Sequence, residues 1–246
     1  MAEDQAVILA GGLGTRMLPR TERMPKILLP VGGRPFAAWL LERLAAAGYT
    51  DVLLAIGHLG GEVRRALGDG GAFGLRLRYA EDGERLLGTA GALRRALDEL
   101  HPTFLVTYGD SYLPFDYRAP LRDLRAHPEA LGTMAVFRND DRFDQSNTAV
   151  EGDRVVRYEK RARDAAPDPT LAFIDYGAMA LRREVIEALP ADEVHDLSAV
   201  QRALAAEGRL RACTAERRFF EIGSEQGLAD LEAELTTASA PGVQPS

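Results

Sequence analysis

Short, continuous apolar runs separated by amphipathic stretches constrain this chain more than any other feature. Leu75 to Ala80 is a further predicted strand, and Val7-Ile8-Leu9-Ala10, Asp51 to Ile56 and Phe104 to Tyr108 are too short for buried helices and show no polar alternation. Strands covered on both faces read this way. Between them, Phe36, Leu40, Leu41 and Leu44 fall on one face of a helix that starts at Pro35 and stops at Gly48. Leu59 to Leu67, ending at Gly68, and Gly88 to Leu100 also carry the helical period. Repeated strand–helix alternation predicts an α/β fold, a mostly parallel sheet flanked by helices with right-handed crossovers.

After about residue 130 the texture turns toward strands and turns. Thr133 to Arg138, Asn147 to Val150, Val155 to Glu159 and Phe173 to Leu181 are predicted strands, with Glu151-Gly152-Asp153 as a hairpin turn. Helices are expected over Leu197 to Glu207 and Ser224 to Leu235. The expected organisation is one domain over residues 1–235, with halves at about 1–128 and 129–235. Residues 236–246, small and polar with two prolines, are expected to form a disordered tail.

Composition removes several function classes. The chain has 246 residues, is 46% hydrophobic and carries a net charge of −7, with no basic face for nucleic acid or an anionic membrane. One cysteine, Cys213, excludes an internal disulfide and a cysteine-rich zinc site. The acidic Met1-Ala2-Glu3-Asp4 and a short apolar run give no signal peptide, and no stretch is long enough for a membrane span, so a cytoplasmic protein is expected. His58, His101, His127 and His195 have no metal-ligand spacing and read as solvated or capping residues. The 30 basic residues are 28 arginines plus Lys26 and Lys160. Arginine bias explains the scarcity of lysine but not the two positions that kept it.

Leu9-Ala10-Gly11-Gly12-Leu13-Gly14-Thr15-Arg16 places glycines directly after a buried strand. Backbone N–H groups there can turn toward an anion, and a guanidinium adds a charge-assisted fork for phosphate. The glycines do not fit the dinucleotide pattern, no acidic ribose ligand ends the Asp51 to Ile56 strand, and no Gly-Lys-Ser/Thr follows, which disfavours both an NAD-dependent oxidoreductase and a Walker loop. For the glycines alone, a tight turn without a ligand remains open.

With Met24-Pro25-Lys26 following this loop, the chain resembles the sugar-1-phosphate nucleotidyltransferase family over roughly residues 5 to 235. The resemblance implies a Rossmann-like nucleotidyltransferase fold with a nucleotide half and a more β-rich sugar half. It also implies synthesis of an NDP-sugar and pyrophosphate from an NTP and a sugar 1-phosphate. Leu9, Ala10, Gly11, Gly12, Gly14, Thr15 and Arg16 would form the NTP cradle, and Lys26 would bridge phosphates during transfer. Tyr108-Gly109-Asp110-Ser111 puts a carboxylate at a strand's carboxyl end, matching the family's Gly-Asp ligand for Mg²⁺. Glu221, in Phe219-Phe220-Glu221-Ile222-Gly223, stands where many members have an aspartate, and is expected to be the second ligand.

Tyr158-Glu159-Lys160 and Asp175-Tyr176-Gly177 match the family's sugar-side segments. Glu159 and Asp175 would accept from sugar hydroxyls, Lys160 would meet the sugar phosphate, Gly177 would allow close approach, and Asn147 is a further contact. Gly88-Thr89 opens a segment expected at the nucleobase. Glu81, with Glu84 as its competitor, would accept the paired donors of guanine. Arg16, Lys26, Asp110 and Lys160 are therefore the expected catalytic set. The short form looks closest to heptose-1-phosphate guanylyltransferase-like members, implying GTP with a heptose or hexose 1-phosphate. A transferase using UTP, CTP or dTTP and a catalytically silent nucleotide-sugar-binding regulatory homologue are the alternatives, and a homo-oligomer is left open.

Overall fold

The computed structural model describes residues 4–83, 85–162, 165–191 and 193–239; Glu84 and residues 240–246 of the expected tail lie outside them. β1 (Gln5–Ala10) runs into the glycine loop, followed by a small hairpin of β2 (Pro30–Val31) and β3 (Arg34–Pro35). Then come α1 (Phe36–Ala46), β4 (Asp51–Ile56), α2 (Gly60–Leu67), β5 (Arg76–Glu81), α3 (Gly88–Arg95), β6 (Thr103–Tyr108), β7 (Ser111–Tyr112) and α4 (Ala119–Ala126). The second half holds β8 (Gly132–Arg138), β9 (Thr148–Glu151), β10 (Arg154–Tyr158), β11 (Phe173–Arg182), α5 (Arg183–Glu187), α6 (Leu197–Ala206), β12 (Leu210–Ala215), β13 (Phe220–Glu221) and α7 (Glu225–Ser239).

One nine-stranded sheet passes through both halves in the order β5-β4-β1-β6-β11-β8-β12-β10-β9. β5, β4, β1 and β6 are parallel, as the apolar runs predict. Beyond them the sheet is mixed, because β11 is antiparallel to both β6 and β8 while β12 is parallel to β8. Period-two alternation divides the core between the faces. Ala6, Ile8, Val52 and Leu54 join one apolar cluster, while Val7, Leu53, Phe104 and Val106 join the other. α1 ends at Gly48, whose φ of +85° is the left-handed cap conformation.

Strand order locates the crevice. From β1 the chain goes to β4 on one side, and β6 later fills the other, so the carboxyl ends of β1 and β6 flank a topological switch point. The opposite end of the sheet is pinned by Asp51, whose fully buried carboxylate accepts from Gln5 Nε2 (3.0 Å) and from Arg78 Nε (3.0 Å) and Nη2 (2.8 Å). Burial opposes ionisation there, but the Arg78 hydrogen bonds hold the carboxyl below its usual range.

α4 forms in a stretch to which the sequence assigns no element, with Pro120 in its first turn where a missing N–H costs nothing. One expectation is corrected: residues 236–239 of the expected tail belong to α7, which continues to Ser239. Thr236 and Thr237 donate their hydroxyls to the carbonyls of Glu232 and Ala233, at 2.8 and 2.9 Å. Cys213 lies on β12 as a half-buried thiol.

Candidate active site

The glycine loop folds back on its own strand. Gly14 has φ +64°, and its carbonyl accepts from Thr21 Oγ1 at 2.9 Å, fixing the turn that carries Thr15 and Arg16. Gly109 N–H donates to Leu9 O at 2.9 Å, which brings the residue before Asp110 against the end of β1. Together these segments wall a cavity of about 330 Å³. Its lining includes every expected cradle residue from Leu9 to Arg16, with Lys26, Gly88, Thr89 and Asp110.

Lys26 and Asp110 are 84 residues apart in sequence and meet at 2.5 Å, Nζ donating to Oδ2. β13 pairs antiparallel with β7, setting Glu221 opposite Ser111, and Ile222 N–H donates to Asp110 O at 3.0 Å. The two carboxylates expected to bind metal are thus held close together, Glu221 on β13 and Asp110 in the turn just before β7. Burial, with the Asp110 charge added, pushes the Glu221 carboxyl up to about 7, against the attraction of Lys26 and Arg16. Gly223 lies beside both cations: a methyl there would be 3.1 Å from Arg16 Nη2 and 3.2 Å from Lys26 Nζ.

A second cavity, of about 240 Å³, opens beside the first in the β-rich half. Asn147, Lys160, Asp175, Gly177 and Glu221 line it, and Tyr108 lines both cavities. Gly177, at φ +95°, occupies an irregularity of β11, whose register with β8 shifts between Asp175 and Met179. Asp175 accepts from Gly177 N–H at 2.9 Å and from Gln201 Nε2 at 2.6 Å. Burial raises its carboxyl above the usual range. Asn147 Oδ1 accepts the Asp175 N–H at 2.9 Å, so the two expected sugar contacts support each other.

Two expected contacts are elsewhere. Glu81 ends β5 on the outer surface, where it pairs with Arg64 at 2.8 Å. The next residue, Asp82, turns inward, lines the first cavity and is 6% exposed. A Cβ on Gly11 would be 2.6 Å from its Oδ2, so the carboxylate lies directly over the loop. Burial raises the Asp82 carboxyl, with partial relief from Arg95. Glu159 is captured by Arg157 at 2.8 Å and does not line the second cavity. Gly88 is required by the chain behind it, not only by open space in front: with φ +75°, its Cβ would lie 2.5 Å from the His195 carbonyl oxygen. Asp144 and Arg161 line the second cavity although no motif contains them, and Tyr108 and Gly223 lie within motifs that gave them no role; Arg161 is a cation of the second cavity whose side chain is only 6% exposed.

Among the described residues, no group of three or more potential metal ligands occurs, and no helix is long and apolar enough to cross a membrane. The family model described as nucleotidyl transferase matches residues 5–233. The chain is 30% identical over 231 residues to N-acetylmuramate alpha-1-phosphate uridylyltransferase of Neisseria meningitidis serogroup B, covering 93% of this chain and 97% of that protein. It is 32% identical over 241 residues to mannose-1-phosphate guanylyltransferase of Mycobacterium tuberculosis, covering 96% of this chain and 66% of that protein. The fold is shared with HddC of Yersinia pseudotuberculosis complexed with GMP-PN, at a TM-score of 0.76 and 21% identity, covering 94% and 99% of the two chains.

Proposed function

The chain belongs to the nucleotidyl transferase family, and from that premise we propose that it joins an NTP to a sugar 1-phosphate, releasing pyrophosphate. The observation that carries this reading is the pair of adjoining cavities sharing Tyr108, with Lys26 and Asp110 in one and Lys160 and Glu221 in the other. An oxygen of the sugar phosphate forms the new bond to the α-phosphorus, and the bond from that phosphorus to the bridging oxygen of pyrophosphate breaks. Both partners are anions, so the protein's task is positioning and charge neutralisation. Arg16 and Lys26 hold the triphosphate, and Lys160 holds the sugar phosphate.

Asp110 and Glu221 would hold Mg²⁺. Two carboxylates suit an ion that keeps water and phosphate oxygens in its remaining positions, and burial with the Asp110 charge beside it pushes the Glu221 carboxyl up, a repulsion that a divalent cation between the two acids would relieve. When bound, the ion supplies Lewis-acid polarisation of the phosphoryl oxygens. The test is pyrophosphate release from each NTP with a panel of sugar 1-phosphates. Turnover is expected to vanish with EDTA and return with Mg²⁺; no pyrophosphate from any pair would refute the reading.

We assign base reading to Asp82, which lines the first cavity, and not to Glu81 on the outer surface. A carboxylate accepts guanine's N1–H and N2–H₂ side by side and repels the carbonyls of uracil, which favours GTP. Asp82→Ala is expected to raise the KM for GTP about tenfold and to flatten the preference among NTPs, while Glu81→Ala leaves both within about twofold. Equal effects of the two substitutions would contradict this assignment.

A further inference from the structure

Asp196 belongs to neither phosphate-handling motif, yet it touches residues of both cavities. Its Oδ2 accepts from Lys160 Nζ at 2.7 Å. Its Oδ1 accepts from Thr89 Oγ1 and from Ser198 N–H, each at 3.1 Å, the latter as the N-cap of α6. Lys160 lines the sugar cavity and Thr89 lines the nucleotide cavity. We propose that Asp196 is a positioning residue that aims Lys160 at the sugar phosphate and couples that lysine to the wall of the nucleotide cavity. This rests on the transferase reading above.

The carboxylate is well suited to the task because it is itself anchored. Thr89 Oγ1 accepts Leu197 N–H at 2.7 Å, so its hydroxyl is engaged as both donor and acceptor. His195 N–H donates to Leu87 O at 2.9 Å, and His195 O accepts from the N–H groups of Ala90 (2.9 Å) and Gly91 (3.1 Å). Residues 195–197 are thereby stitched to the first turn of α3, which carries Gly88 and Thr89. A displacement of that turn by an entering nucleotide is transmitted to Asp196 and hence to Lys160.

Lys160 needs such a guide. It follows β10 on irregular chain, and its side chain is 65% exposed, so a free lysine head would sample many rotamers. One N–H on Asp196 leaves two for an arriving phosphate, and the ordering cost has been met before the substrate binds. Burial opposes ionisation of Asp196, but the hydrogen bonds from Lys160 and Ser198 hold its carboxyl below the usual range, so the anion is present at neutral pH.

The test separates this role from a structural one. Asp196→Asn keeps an oxygen acceptor for the α6 cap and Thr89 while removing the charge that holds Lys160. It is expected to raise the KM for sugar 1-phosphate about tenfold and to leave the KM for NTP within about twofold. Asp196→Glu should recover part of that loss. Lys160→Ala, which leaves the cap intact, should show the same sugar-selective rise, and the double variant should be no worse than Lys160→Ala alone. An unchanged sugar KM in either single variant, an equal rise in both Michaelis constants, or additive losses in the double variant would overturn the proposal while leaving the transferase reading in place. Absence of wild-type turnover would overturn the transferase reading, and the role for Asp196 with it.

Discussion

Lys26→Arg is expected to keep the fold and lose about two to three orders of magnitude in kcat. The Lys26 side chain is only 14% exposed and its Nζ sits 2.5 Å from Asp110 Oδ2. Arg16 and Lys26 converge over Gly223, where even a methyl would lie within 3.2 Å of both cation heads. A compact ammonium fits that space and can turn its donors from Asp110 to phosphate oxygens. A guanidinium is longer, flat and fixed in its fork, so it can preserve the ion pair without placing its charge at the same point. Melting temperature should therefore move little while turnover collapses. Wild-type turnover in the variant would show that any cation at this position suffices.

Gly227→Ala is expected to destabilise the protein by about 3 kcal/mol and to lower activity further even where the protein remains folded. Helix propensity points the other way, since an interior glycine costs a helix about 1 kcal/mol relative to alanine. Packing reverses the sign. Gly227 lies in the first half of α7, directly against the backbone of Glu221, and an alanine methyl would collide with the Glu221 carbonyl oxygen. Either α7 lifts from β13 or Glu221 shifts away from Asp110. Thermal melts and kcat measured on the same preparation check this, and a stabilised variant of normal rate would contradict it.

The same contrast runs through the rest of the molecule. β1, β4 and β6 were readable to within two residues because strands buried on both faces leave continuous apolar runs with abrupt ends. Lys26 and Asp110 line one cavity because glycine loops and strand ends are local features that carry them to the same edge of the sheet. Glu81 lies outside that cavity because the inward and outward directions at a strand end differ by one residue, and the chain past Glu81 turns Asp82, not Glu81, into it. Glu159 lies outside the second cavity for another reason: Arg157, two residues earlier, captures it.

By itself the sequence determined the alternating strand–helix order, the parallel first half and the local loops that carry Arg16, Lys26 and Asp110. These follow from hydrophobic period and local backbone chemistry. Only the tertiary structure decided that Asp82 and not Glu81 faces the first cavity, that Gly227 must lack a side chain, and that Asp196 contacts Lys160 of one cavity and Thr89 of the other. Each of these depends on groups brought together from distant parts of the chain, and such contacts leave no periodic trace in the residues between them.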